Sequence, residues 1–224
     1  MIRPEDIRVV AWDFDGVLNR NVQDGVFAWS RGFAEDLGLS LESFSSFLFQ
    51  GRFQKAMVGE ACLKELVTQW AGENGAVGRE AEILDYWFTT DALPDADVLA
   101  MVAQLRQRGI ANVMATNNEI HRTAFIESEM GFDRHMDRIF AAGRMRSISP
   151  KGRMTISSPP RASRAKKEGQ PSAAPLLTLP GTLLIVSLKE KTLTVYECAL
   201  RRLFGAFCKQ VADFFQQDFL TRWL

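Results

Sequence analysis

The sequence predicts an α/β protein with a three-layer, Rossmann-like core: a parallel sheet with helices on both faces, interrupted by a helical insertion. Three observations carry this expectation. Short apolar runs rich in β-branched residues occur at 7–12 (IRVVAW) and 110–115 (IANVMA), each ending in a turn signal. Between them, from 17 to about 90, the periodicity is helical and unusually aromatic. The 224 residues are 46% hydrophobic and 24% charged, enough for one large domain or a domain with an insertion. Disordered, collagen-like and disulfide-stapled chains are excluded.

Taken in order, the first run ends in Asp13-Phe14-Asp15-Gly16, a turn carrying two carboxylates. In the aromatic stretch, Phe27, Trp29, Phe33, Phe44, Trp70 and Trp87 are expected in a core rather than against a ligand. Gly38 followed by Ser40 marks one helix stopping and the next starting. The segment 95–108 sets Val98, Leu99, Val102 and Leu105 on one helical face, with Gly109 as its stop. The second run ends in Thr116-Asn117-Asn118, and a helix is expected over 119–130, N-capped by Asn118 and stopped by Gly131. Ile139-Phe140 with Ala141 predicts a third short strand. Residues 157–175 read as a low-complexity loop, 183–188 (LLIVSL) as a strand, and 196–220 as a helix with Leu200, Leu203, Phe207, Val211 and Phe214 on one face.

The net charge is zero, yet residues 151–224 carry 12 basic and 5 acidic side chains, leaving 15 basic and 22 acidic before them. Six of the eight prolines lie at or after Pro150. A basic C-terminal part suits nucleic acid, and Arg201, Arg202 and Lys209 beside aromatics suit a membrane surface. The interleaving with Pro and Ser argues instead for a solvated loop and helix, so neither partner is expected. The apolar run 175–188 is short for a membrane span and contains Pro180. The first residues lack the apolar core of a signal peptide, and Cys62, Cys198 and Cys208 form no framework. A cytoplasmic location is the expectation. His121 and His135 have no companions suggesting a zinc site.

The sharpest chemical signal is the pair of acids two residues apart at the carboxyl end of a buried strand, where open α/β sheets bind ligands. A carboxylate there can attack phosphorus and form an aspartyl-phosphate. A second one can give a proton to the leaving oxygen and later take one from water. Oxygen donors of this kind also suit Mg²⁺. The spacing alone is equally that of a simple turn; its surroundings decide.

Asp13-Phe14-Asp15-Gly16-Val17-Leu18 after one strand, Thr116 at the end of another, and Lys151 after Ser149-Pro150 follow an order that resembles the haloacid dehalogenase superfamily. Its motif I is a strand ending in DxDGxx, its motif II a strand ending in Ser or Thr, and its motif III a Lys. The resemblance covers about residues 7–151. It implies a core from 1–16 and 91–224 with an inserted helical cap at 17–90, and the ATNN strand end and short cap look most like the sugar-phosphate phosphatases of the group. It further implies Asp13 as nucleophile and metal ligand, and Asp15 as general acid/base, with its backbone carbonyl on Mg²⁺. Thr116 would hydrogen-bond the transferred phosphoryl, Asn117 would help orient it, and Lys151 would offset negative charge. The implied substrate is a small phosphorylated metabolite. A 2-haloacid dehalogenase is the alternative within the group, but halide departs without a proton and those members lack the second acid.

The resemblance breaks after Lys151. Motif IV is a strand ending in an acidic pair that completes the Mg²⁺ site, and 183–188 contains no acid. A reading-frame change explains this together with the charge and proline shift. Codons for Gly152 to Pro160 can be chosen so that dropping two bases gives Pro-Asp-Asp-Asp-Phe-Phe, the family's pattern after the motif III Lys. The middle Asp is forced, because Met has one codon and Thr codons begin AC. The competing expectation is a native, divergent C-terminus, on which the scaffold would be a non-catalytic phosphate- or partner-binding protein. For the chain as it stands, weak or absent turnover is expected.

Overall fold

The computed structural model describes residues 7–144, 182–189 and 192–199. Strand β1 (Ile7–Trp12) is buried from Val9 onward, and its Val10 and Trp12 pack with Val102, Ile126 and Phe132 from the helices that follow. A two-stranded antiparallel ribbon, β2 (Val22–Gln23) and β3 (Val26–Phe27), then leads into five helices. These are α1 (Ala28–Leu37), α2 (Leu41–Phe49), α3 (Arg52–Met57), α4 (Leu63–Glu73) and α5 (Glu80–Thr90). The chain returns through α6 (Ala96–Gln107), β4 (Ala111–Thr116), α7 (Ile120–Ser128), α8 (Phe132–His135) and β5 (Arg138–Ala141). Strands β6 (Thr182–Lys189) and β7 (Thr192–Ala199) complete a five-stranded sheet of order β5-β4-β1-β6-β7. Strands β5, β4, β1 and β6 are parallel, and β7 runs antiparallel beside β6. This is the expected α/β Rossmann-like core with its parallel sheet.

The expected helix punctuation is present. Gly38 has φ 65°, a left-handed conformation that glycine takes without a Cβ penalty, and Ser40 Oγ accepts from Ser43 N at 3.1 Å. Asp95 caps α6 by accepting from the amides of Asp97 and Val98, both at 3.0 Å. On that helix Val102 is buried, while Val98, Leu99 and Leu105 pack half-buried against the sheet core.

Two hydrophobic cores form. One unites Val10, Trp12, Phe14, Leu18, Met114, Ile126 and Phe132 around the sheet. The other is built mainly from α1 to α5, with Phe125 of α7 and Ala142 packed against it, and in it Trp29, Phe33, Phe44 and Trp70 are essentially inaccessible. Its rings meet edge to face, Phe44 on Trp70 at 5.0 Å and on Trp29 at 5.9 Å, a geometry that adds to simple burial. The aromatics of this stretch are core, as expected.

Two expectations fail. Asn118 does not cap the helix after β4; Glu119 does, its carboxylate accepting from His121 N and Arg122 N, and α7 ends at Ser128. Asn is the preferred type at such a position and Glu is not; Glu119 takes the role because Asn118 is drawn away by the partners described below. Residues 196–199 belong to strand β7 rather than to a helix, because they pair with 182–185 across a hairpin. Lys151, the loop at 157–175 and the rest of the 196–220 segment lie outside the described residues. Among the described residues no helix is long and apolar enough to cross a membrane.

Candidate active site

β1 and β4 are adjacent and parallel, with Trp12 level with Met114, so their carboxyl ends bring Asp13 and Thr116 to the same edge of the sheet. Phe14, fully buried and edge-on to Phe132 at 5.3 Å, pins the turn between the two acids to the core. Gly16, at φ 79°, lets the chain double back so that its N–H donates to Asn19 O at 2.8 Å. Asp13 is nearly buried, and its Oδ1 accepts from Phe14 N at 2.8 Å.

Asp15 retains 24% exposure of its side chain and is held by three donors. Its Oδ1 accepts from Asn21 Nδ2 at 2.7 Å and from Arg122 Nη2 at 3.4 Å, and its Oδ2 from Asn118 Nδ2 at 3.2 Å. The same Asn118 nitrogen donates to Thr116 Oγ1 at 2.6 Å. Thr116 therefore accepts from the amide and keeps its own hydroxyl proton for an incoming oxygen. Of the site residues expected from the sequence, Asp13, Asp15 and Thr116 are brought to one edge. Asn117 follows on the same loop, half-buried, and Lys151 is outside the described residues.

The sequence reading missed Asn21, Asp91, Asn118 and Arg122. Asn21, Asp91 and Arg122 are almost wholly buried. Asp91, next after α5, accepts from Trp29 N at 3.0 Å, Asn21 Nδ2 at 3.1 Å and Arg122 Nη2 at 3.1 Å. Burial pushes its carboxyl above the ordinary carboxylate range; the Arg122 guanidinium opposes that rise and the Asp15 charge adds to it. The local hint was the polar run Asn19-Arg20-Asn21 straight after a buried Leu18: amides in such a place must find partners.

A divalent cation was expected here. Asp13 offers a carboxylate, and the Asp15 side chain is already engaged by nitrogen donors, leaving its main-chain carbonyl as the second oxygen. Among the described residues no group of three or more Asp, Glu, His or Cys side chains gathers. In the register of β6, Val186 is level with Trp12, so Ser187, Leu188 and Lys189 continue past that level, and none is an acid. The donors fit Mg²⁺, which accepts one or two carboxylates supplemented by phosphate oxygens and water, but they fit it at the weak end of that range.

The architecture so assembled is a three-layer α/β fold with its polar site at the carboxyl edge of a parallel sheet. It is the fold of the haloacid dehalogenase family enzymes. The enzyme BT-2542 of Bacteroides thetaiotaomicron, a member of that family, is similar with a TM-score of 0.51 and 15% identity, over 65% of this chain and 73% of that one. A variant of BT-2542 in complex with magnesium and inorganic phosphate gives a TM-score of 0.50 and 14% identity over the same shares. An L-2-haloacid dehalogenase from Xanthobacter autotrophicus, with chloropropionic acid covalently bound, gives 0.40 and 14% over 60% of this chain and 56% of that one. No family model matches the chain, and no curated protein matches it.

Proposed function

We propose that this chain is a hydrolase of small phosphate monoesters, sugar phosphates or close relatives, working through an aspartyl-phosphate on Asp13. One observation carries the reading: two acids and a hydroxyl meet at adjacent strand ends, with Asn118 joining Asp15 to Thr116. Magnesium and inorganic phosphate bound to the structurally similar BT-2542 variant support it. A bound Mg²⁺ would neutralise phosphoryl charge beside Asp13 and the Asp15 carbonyl. The Asp13 carboxylate attacks phosphorus as the ester oxygen departs, and Asp15 supplies the proton that makes the leaving group an alcohol. Asp15 then takes a proton from water, whose oxygen attacks the acyl phosphate and releases inorganic phosphate and the Asp13 carboxylate. Thr116 donates its hydroxyl proton to a phosphoryl oxygen, Asn117 orients the group, and Lys151 balances its charge.

In this reading α1 to α5 are the cap over the site, the location is cytoplasmic, and neither nucleic acid nor membrane is a partner. The presence of Asp15 favours ester hydrolysis over dehalogenation, which needs no proton donor. The decisive experiment is a screen of sugar phosphates and nucleotides with and without Mg²⁺, repeated with Asp13→Asn. Turnover abolished by the substitution supports the reading, and turnover indifferent to it removes Asp13 from the mechanism. A second reading, phosphate binding without turnover, is favoured by the absence of an acid at 187–189. Calorimetric binding of inorganic phosphate with no product from any ester would establish it.

A further inference from the structure

We propose that Arg122 is a positioning residue for Asp15, tying the orientation of that acid to the junction between the sheet core and the helical unit. The inference rests on the reading of Asp15 as the proton donor. Arg122 Nη2 is shared between Asp15 Oδ1 at 3.4 Å and Asp91 Oδ2 at 3.1 Å. Asn21 Nδ2 is shared between the same two oxygens, at 2.7 Å and 3.1 Å. The four side chains thus close a ring in which two carboxylates that do not touch are bridged twice.

Asp91 is where both chain crossings meet. Its second oxygen accepts from Trp29 N at the start of α1, and its main-chain oxygen accepts from Asn19 Nδ2 at 2.6 Å. The guanidinium of Arg122 reaches out of the sheet core toward α5, with Phe88 and Trp87 centroids at 5.8 Å and 5.9 Å. Whatever shifts the end of α5 therefore pulls on the group that holds Asp15.

Arg122 is a costly choice for stability alone. It is 4% exposed, its Nη1 is buried without a hydrogen-bond partner among the described residues, and it sits in the first turn of α7, the end of a helix that disfavours cations. A buried cation kept in spite of these terms fixes a register rather than adding net stability. Here the register it fixes is that of the proton donor relative to the Thr116 hydroxyl, through Asn118.

The test uses two substrates on the full chain. With Arg122→Met, kcat/KM for a sugar phosphate, which reports the steps up to departure of the leaving group and not the later hydrolysis common to all esters, should fall on the order of 10²-fold, the scale of a misplaced general acid. For p-nitrophenyl phosphate, whose leaving group departs without a proton, the fall should be under about 5-fold. Arg122→Lys should recover part of the loss, and Asp91→Asn should show the same split between substrates. Equal losses in kcat/KM on both substrates, or none, would overturn the proposal. A stability cycle needs no activity: Asp15→Asn and Asp91→Asn should couple at least about 5-fold in the unfolding constant, and the coupling should shrink with Met at 122. Undiminished coupling would discard the bridge, whereas a wild type that turns over no ester, beside a coupling that does shrink, would count only against the reading of the site.

Discussion

Asn118 uses one amide nitrogen for two tasks, and removing it separates consequences that a cap residue would not have. In Asn118→Ala both Thr116 Oγ1 and Asp15 Oδ2 lose their common donor, so turnover of a sugar phosphate should fall on the order of 10²-fold through misalignment alone. Thermal unfolding followed by circular dichroism should move little, because Glu119 holds the helix. An unchanged kcat would show that the bridge is incidental. Gly143 is the complementary position. A Cβ built there would lie 2.6 Å from Ile120 N and 2.8 Å from Glu119 Cα, and its N–H already donates to Asn118 O at 3.2 Å. Gly143→Ala must therefore push the loop carrying Thr116 and Asn118, with a stability loss of about 1–3 kcal/mol and a drop in kcat larger than the melting shift suggests. Asp13, Asp15 and Thr116 were legible because each follows an apolar run within its own segment. Asp91 and Arg122 were not, since their contacts to Asn21 and to each other span 70 and 31 residues of chain. Asn118 was misjudged because Asn is a preferred cap, and what draws its side chain away is Asp15, 103 residues distant in the chain.

The helical elements were legible wherever periodicity and punctuation agreed, as at Gly38 and Ser40, and illegible where pairing decided, as in the two-residue strands β2 and β3 and in β7. The helices α1 and α5 are held together at the surface by one titrating contact whose effect has a definite sign. Tyr86 on α5 donates its hydroxyl to Asp36 Oδ2 on α1 at 2.7 Å. Burial, with that bond and the Asp36 charge, pushes its pKa up to about 12. A tyrosine in the unfolded chain ionises near 10, so between these two values the unfolded state has given up a proton that the folded state retains. The unfolded state then binds fewer protons, and linkage makes stability fall as pH rises from about 10 toward about 12. Below that window the contribution is complete. Tyr86→Phe should weaken this dependence, seen as urea midpoints at pH 9 and pH 11 that differ less than in the wild type. The ultraviolet absorbance change of late tyrosine ionisation should vanish as well. Midpoints that fall equally in both proteins would place the alkaline sensitivity elsewhere.

Across the described residues, the elements make a mutually consistent sheet, two cores and a polar edge, while the acid that the resemblance implies at the end of β6 is missing from 182–189. That discrepancy has a location: β6 lies beside β1, and the residues that continue past the level of Trp12 are Ser187, Leu188 and Lys189. A strand at that place ending in carboxylates would complete the oxygen set around Asp13, and losing such a ligand weakens a divalent site by at least about 10- to 100-fold. The change in charge and proline content from residue 150 onward coincides with the break in motif order, which a shifted reading frame explains in one step. The DNA across codons 152–158 should then read, two bases on, as Pro-Asp-Asp-Asp-Phe-Phe, followed downstream by an apolar run ending in an acidic pair. Expressing that reframed chain should raise Mg²⁺-dependent turnover at least about 100-fold and lower the Mg²⁺ concentration for half-maximal rate by a comparable factor. In the chain as it stands, Mg²⁺ should support turnover only at concentrations well above those the reframed chain needs. A downstream frame without an acidic pair, or equal Mg²⁺ dependence in the two chains, would make the C-terminal sequence native and favour phosphate binding without catalysis.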